Sequence, residues 1–229
     1  MSLSNDVRAE VNDILWTSFT ERAGTKVPEA EDVKLGNDAV TLDGTVLYAD
    51  LAESTNMVNN YKNWFAAQIY KSFLLSACRM IRNCGGTITA FDGDRVMAVF
   101  IGDDKNTTAA RAALQINWAK RMINEEINKT YKQNNFVLKH VVGIDTSDLF
   151  VARTGIRGSN DLVWVGRSAN YAAKLSNLEK GYASLVTGDV YKSLDDSSRL
   201  GKNNQNMWTS IWWPDYNMTI YGSNWEWEP

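Results

Sequence analysis

From Thr45 onward the chain alternates segment types in an order that few folds accommodate. "TVLYADL" (45–51) sets β-branched and aromatic residues behind a Gly turn and reads as a strand. Ser54, Thr55 and Asn56 then offer capping side chains for a helix over about 56–83. "GGTITAFDGDRVMAVF" reads as two strands around the tight turn "DGD". A helix over 107–128 follows, then a strand in "FVLKHVVGID" and a second candidate strand near "DLFVAR". The loop "TGIRGSNDL" leads to "VWVG", a helix from Arg167 to about Leu178, and "ASLVTGDVYKSL" as a strand with a short helix. This β-α-β-β-α-β order with additions predicts an α+β fold of the ferredoxin-like type.

Around that unit lie two extensions. Residues 3–22 read as an amphipathic helix, with Val7, Val11, Ile14, Leu15 and Phe19 near helical spacing. The polar segment after it, interrupted by Pro and Gly, reads as an irregular lead-in. Residues 1–43 are thus helix and lead-in, and 44–229 a single globular unit, as 229 residues suit one sizeable domain. The tail is rich in Trp (Trp208, Trp212, Trp213, Trp225 and Trp227) and is expected to pack over the sheet edge or a dimer seam.

Bulk chemistry narrows the function. A net charge of -3 argues against a nucleic-acid or membrane-surface protein. Cys78 and Cys84 with the single His140 make neither a zinc framework nor a disulfide scaffold. Buried thiols in a reducing compartment, no apolar run of signal-peptide type and no membrane-length segment together predict a soluble, cytoplasmic protein. His140, inside "VLKHVVG", reads as structural.

Two carboxylates stand out. Asp50 ends the first strand, and no Lys or Arg lies between Leu35 and Tyr61 to meet its charge. Asp94 sits at the turn of the following hairpin, and in a ferredoxin-like sheet that hairpin lies beside the first strand. Facing carboxylates repel unless a divalent cation sits between them. Oxygen ligands suit Mg²⁺ or Mn²⁺, which take further ligands from phosphates. Ala52, Glu53, Ser54 and Thr55 lead into a helix start, where free N–H groups favour an anion. Metal beside anion site outlines a nucleoside triphosphate site. Asp is also common in turns, so on spacing alone the reading of both residues as ordinary turn residues stands beside this one.

The same residues carry a family resemblance. "TVLYADLAEST" resembles the first metal motif of class III nucleotidyl cyclases, a strand ending in Phe-Ala-Asp-Ile, and "GGTITAFDGDRVMAVF" resembles the second. "VVGIDTS" is similar to the family's Gly-Ile-Asn-Thr-Gly strand, and "VGRSANYAAKLSNL" to Gly-Asp-x-Val-Asn-x-Ala-(Ala/Ser)-Arg-Leu. The match runs in family order over about 44–195. It implies that Asp50, Asp94 and the carbonyl of Leu51 hold two metals (Mn²⁺ or Mg²⁺). It also implies that the ribose 3′-oxygen attacks the α-phosphate and that Asn170 positions the ribose. The family's transition-state Arg falls on Lys174, with Arg153, Arg157 and Arg167 as substitutes to weigh. Sites shared across a homodimer follow, metals from one subunit and Asn170 and Lys174 from the other.

The family's purine-reading positions fall on Ala90 and Val163, neither of which can hydrogen-bond a base with its side chain. Tyr48 replaces the usual Phe and alternation points it to the face of Asp50. Tyr48 and Arg95 are candidate donors to the two carbonyls of uracil, beside the readings of Tyr48 as a strand aromatic of the core and of Arg95 as a solvated hairpin residue. Together with "KLGNDAVTLDGTVLYADLAEST", these features resemble the bacterial pyrimidine cyclases of the Pycsar antiphage system. That resemblance implies cyclic UMP made from UTP, with cyclic CMP from CTP as the alternative, acting on a separate effector after phage infection. A purine cyclase with an unusual pocket, and an inert nucleotide-binding homologue, are the remaining readings.

Overall fold

The first element of the computed structural model, which describes residues 2–132 and 135–229, is α1 (Leu3–Trp16), and none of its residues is buried. It ends six residues before the sequence pattern does. Thr17 turns to extended backbone, and Asn37 Nδ2 donates to the carbonyl oxygens of Ile14 (2.8 Å) and Thr17. Phe19 leaves the helical stripe to meet Phe150 edge-on at 5.1 Å. β1 (Thr20–Ala23) then pairs in parallel with the start of β2 (Asp38–Leu51). The lead-in therefore belongs to the sheet, and the border expected at residue 43 falls inside β2.

α2 (Ser54–Asn60) and α3 (Asn63–Asn83) replace the single helix expected over 56–83. The break comes where Asn60 Nδ2 bonds back to Asn56 O (2.9 Å), the local competition that makes Asn a poor helix interior. Tyr61, extended, stacks on Phe65 at 5.1 Å and meets Phe136 edge-on at 5.4 Å. α3 buries Phe65, Ala66, Ile69, Phe73, Ala77 and Ile81, one helical stripe. β3 (Thr87–Asp92) and β4 (Arg95–Phe100) form the expected hairpin, with Gly93 at φ +62° in its two-residue turn. The Ala-rich α4 (Lys105–Thr130) packs against α3.

β5 (His140–Ile156) is one strand where two were expected, pairing with β2 without interruption from Leu51–His140 to Ala39–Ala152. The polar run Thr146–Asp148 hides this continuity in the sequence, because its side chains serve tertiary bonds. Thr45 Oγ1 donates to Thr146 Oγ1 (3.1 Å), and Ser147 Oγ accepts from Ser168 N–H (2.9 Å). β6 (Ser159–Val165) returns along β5, so the expected loop is a hairpin. α5 (Arg167–Ser176), β7 (Ser184–Thr187), α6 (Gly188–Lys192) and α7 (Asp196–Arg199) follow. The Trp-rich tail adds β8 (Thr209–Trp213) and β9 (Met218–Ser223) at the sheet edge, as expected of large aromatics there.

The sheet order is β3-β4-β2-β5-β7-β9-β8, with β1 on β2 and β6 on β5. Its first four strands have the ferredoxin-like order. Odd positions of β2 (Leu47, Ala49, Leu51) face α3 and α4, while even ones (Val46, Tyr48) face α5. Among the described residues no helix is long and apolar enough to cross a membrane. Cys78 and Cys84 are free, only partly buried, and Cys84 Sγ donates to Gln115 Oε1 (3.2 Å).

Candidate active site

Asp50 closes β2 directly opposite Arg95, the first residue of β4, and Asp94 occupies the turn just before it. Register thus brings the two carboxylates together. Burial pushes the Asp50 carboxyl up to about 6; the Arg95 guanidinium pulls it back, and the nearby charge of Asp94 adds to the rise. Arg95 Nε stands 3.8 Å from Asp50 Oδ2, too far for a hydrogen bond, and its Nη2 reaches Asp92 at 3.5 Å. Asp94 Oδ2 and Arg95 Nε are both buried without a hydrogen-bond partner among the described residues.

These features fit a divalent cation. A carboxylate raised by burial and further by a second one, beside a buried oxygen with no donor, is a site short of positive charge. No group of three or more His, Cys, Asp or Glu side chains able to hold a metal occurs among the described residues.

The phosphate segment is arranged differently from its expectation. The Ala52 amide is not free, since it donates to Lys139 O (3.0 Å). Glu53 takes a left-handed conformation (φ +60°) and pairs with Lys139 Nζ at 2.8 Å. Ser54 and Thr55 form the first turn of α2. An anion near this segment would have Ser54 and Thr55 available, and Glu53 balanced by Lys139.

Three of the four base positions meet. Ala90 pairs with Met97, and Met97 with Tyr48, placing them in one row across β3, β4 and β2. The Arg95 guanidinium carbon lies 6.0 Å from the Tyr48 ring centroid. Burial raises the Tyr48 phenol above its usual range, keeping it a neutral donor. Val163 does not join them: it is 38% exposed, on the outward side of β6. Its neighbours Leu162 and Trp164 pack into the cluster that holds Tyr48 and Ala90. Alternation within "DLVWV" is the signal for these two residues, visible once 159–165 is read as a strand.

α5 carries Asn170 and Lys174, both exposed and one turn apart. The helix approaches β5 so closely that a Cβ at Gly143 would lie 2.2 Å from Ala172 O. The Lys174 ammonium sits 5.4 Å from the Tyr216 ring centroid, and the phenol holds it above the usual lysine range. Tyr216 belongs to the aromatic turn after β8, edge-on to Tyr171 and tilted against Trp213. Among the described residues, no hydrogen bond or ion pair joins Asn170 or Lys174 to Asp50 or Asp94. Of the candidate substitutes for Lys174, Arg153 bonds Asn160 Oδ1 (2.7 Å), Arg167 bonds Asp145 and Asp189, and Arg157 sits at the exposed β5–β6 turn.

His140 starts β5 opposite Leu51, its ring 5.8 Å from that of Phe73, and burial pushes it down to about 3, leaving it neutral.

No family model matches the chain. A bacterial light-regulated adenylyl cyclase aligns with TM-score 0.68 at 19% identity, covering 80% of this chain and 91% of that one, a likeness of fold. The uridylate cyclase of Burkholderia cepacia is 50% identical over 99% of both chains. That of Xanthomonas perforans is likewise 50% identical over 99% of both. Identity at that level from end to end, on a fold that sets two carboxylates at the end of the central strand, means that the chain belongs to the uridylate cyclase family.

Proposed function

We propose that the protein converts UTP to 3′,5′-cyclic UMP and pyrophosphate. The 3′-oxygen attacks the α-phosphorus, the bond from that phosphorus to the β-phosphate bridge breaks, and the hydroxyl proton passes to solvent. Full-length identity to uridylate cyclases carries this reading. Asp50, Asp94 and the Leu51 carbonyl would hold two divalent cations, Mn²⁺ or Mg²⁺, which when bound neutralise phosphate charge and acidify the hydroxyl. Ser54 and Thr55 lie where the triphosphate enters. Tyr48 and Arg95 donate to the uracil carbonyls, and Ala90 offers adenine or guanine no side-chain partner.

Asn170 and Lys174 act on the ribose and the transferring phosphate of a partner's site. Their exposure on α5 leaves them free to reach a partner, in a homodimer with two shared sites. The messenger role, cyclic UMP acting on a separate effector after phage infection in the cytoplasm, follows from the Pycsar resemblance alone. The test is a product assay with Mn²⁺ and each of ATP, GTP, CTP and UTP, products identified by mass. Cyclic UMP alone is expected. Cyclic CMP as the main product, or a cyclic purine, would overturn the account of Tyr48, Ala90 and Arg95; no product from any would overturn the enzyme.

A further inference from the structure

Asp145 is fully buried at the middle of β5 and is ionisable, yet the reaction above gives it no role. Its partner is Arg167, the first residue of α5. Arg167 Nε donates to Asp145 Oδ2 (3.1 Å), and Nη2 lies 3.3 Å from Oδ1. The same Nη2 donates to Thr146 O (2.8 Å) and to Asp189 Oδ2 in α6 (2.7 Å). Thr187 Oγ1 donates to Asp145 Oδ1 at 2.5 Å. Asp145 thus has both oxygens satisfied, and the guanidinium ties α5 to β5 and α6 at once.

The location is not explained by helix chemistry. A cation at the first turn opposes the helix dipole, so Arg167 is disfavoured there unless a carboxylate answers it. The two charges compensate each other and meet in space, 3.1 Å apart.

Next to the pair, Ser147 Oγ accepts the Ser168 amide (2.9 Å), so consecutive residues of β5 hold the first turn of α5. Asn170 follows Arg167 by three residues and Lys174 by seven, on a helix too short to absorb a tilt. A fork anchored in two directions fixes the rotation of α5 in a way that a point charge cannot.

We propose that the Asp145–Arg167 ion pair is the positioning device of this enzyme, setting the azimuth of α5 so that Asn170 and Lys174 reach the partner's nucleotide. It rests on the proposed cyclase reading and adds two positioning residues to it, neither of which touches substrate.

The experiment is steady-state kinetics with Mn²⁺ and UTP on the full-length dimer for Arg167→Gln, Asp145→Asn and the double variant Asp145→Asn/Arg167→Asp. Hydrogen exchange of the α5 amides is measured alongside. A displacement of about 1 Å at reacting groups lowers the rate by about 100-fold. Each single variant is therefore expected to lose about 10- to 100-fold in kcat with KM within about threefold, and to exchange faster in α5 than in β2 or α3. The double variant, in which an Asn amide can donate to an Asp carboxylate, should recover most of kcat. Unchanged kcat in a folded Arg167→Gln dimer overturns the proposal. So does a loss of kcat that the double variant fails to recover while α5 exchange stays at the wild-type rate. If the wild-type protein itself makes no cyclic nucleotide, the cyclase reading falls first. The anchoring of α5 is then decided by exchange alone: uniform exchange across the fold in Arg167→Gln refutes it.

Discussion

Replacing Asp50 by Asn should make the metal-free protein more stable while abolishing its chemistry. Asp50 titrates at about 6 in the fold against 3.8 for an unhindered Asp, because burial outweighs the help of Arg95. Its folded value is raised, so its favourable contribution is complete below 3.8 and is lost as pH rises through about 6. At pH 7 the ionised group destabilises the fold by about 3 kcal/mol. Asn removes that charge and can still accept the Leu51 amide, so a gain of about 1–3 kcal/mol is expected, or roughly 3–10 °C in Tm for a domain of this size. The assay is thermal melting in EDTA at fixed protein concentration. The gap between variant and wild type should shrink to about a third of its pH 7 value by pH 4.5, where the folded state is largely protonated and the unfolded state still largely ionised. With Mn²⁺ and a non-reacting UTP analogue at about 100 times Kd the order should reverse, because the wild type gains about 2.7 kcal/mol and the variant none. An Asn variant that melts below wild type in EDTA at pH 7 would refute the reasoning. It would mean that Arg95 alone satisfies Asp50 and that the carboxylate pair has no need of a cation.

Two further outcomes follow from the geometry. Tyr48→Phe should keep the fold but lower kcat/KM for UTP by about 10- to 100-fold, the range of one lost hydrogen bond to a base, with a smaller effect on residual activity toward other nucleotides; equal losses for all four would remove the phenol from base reading. Gly143→Ala places a methyl 2.2 Å from Ala172 O and 2.5 Å from Ser176 N, so α5 must move outward; overpacking of this kind lowers stability by about 1–3 kcal/mol, and turnover should fall by more than the folded fraction measured by circular dichroism.

Local patterns carried the carboxylates a long way. The Gly93 turn, the strand alternation around Tyr48 and the cap residues after Asp50 are all short-range signals, and they set the β-α-β-β-α-β order and both candidate metal ligands. Signals failed where a side chain's partner lies far along the chain. Thr146, Ser147 and Asp148 look like a strand end, and only their bonds to Thr45 and to the start of α5 make β5 continuous. Tyr61 looks like a helix residue until Phe136 is beside it. Val163 lies on the outward face because β6 runs through it, and Leu162 and Trp164 turn inward instead.

The sequence by itself determined which residues are candidates for chemistry, because residue type and near-neighbour spacing are properties of the chain: Asp50, Asp94, Tyr48, Asn170 and Lys174 are legible in it as candidates. The tertiary structure alone decided where their environments place them. Burial, not an ion pair, sets the Asp50 carboxyl near 6, and register, not spacing, brings Arg95 opposite it. Arg167, a helix start and a candidate substitute for Lys174 by sequence, is the partner of a carboxylate 22 residues away. Charge interactions depend on distance and dielectric in the folded chain, and neither quantity is written in the order of the residues.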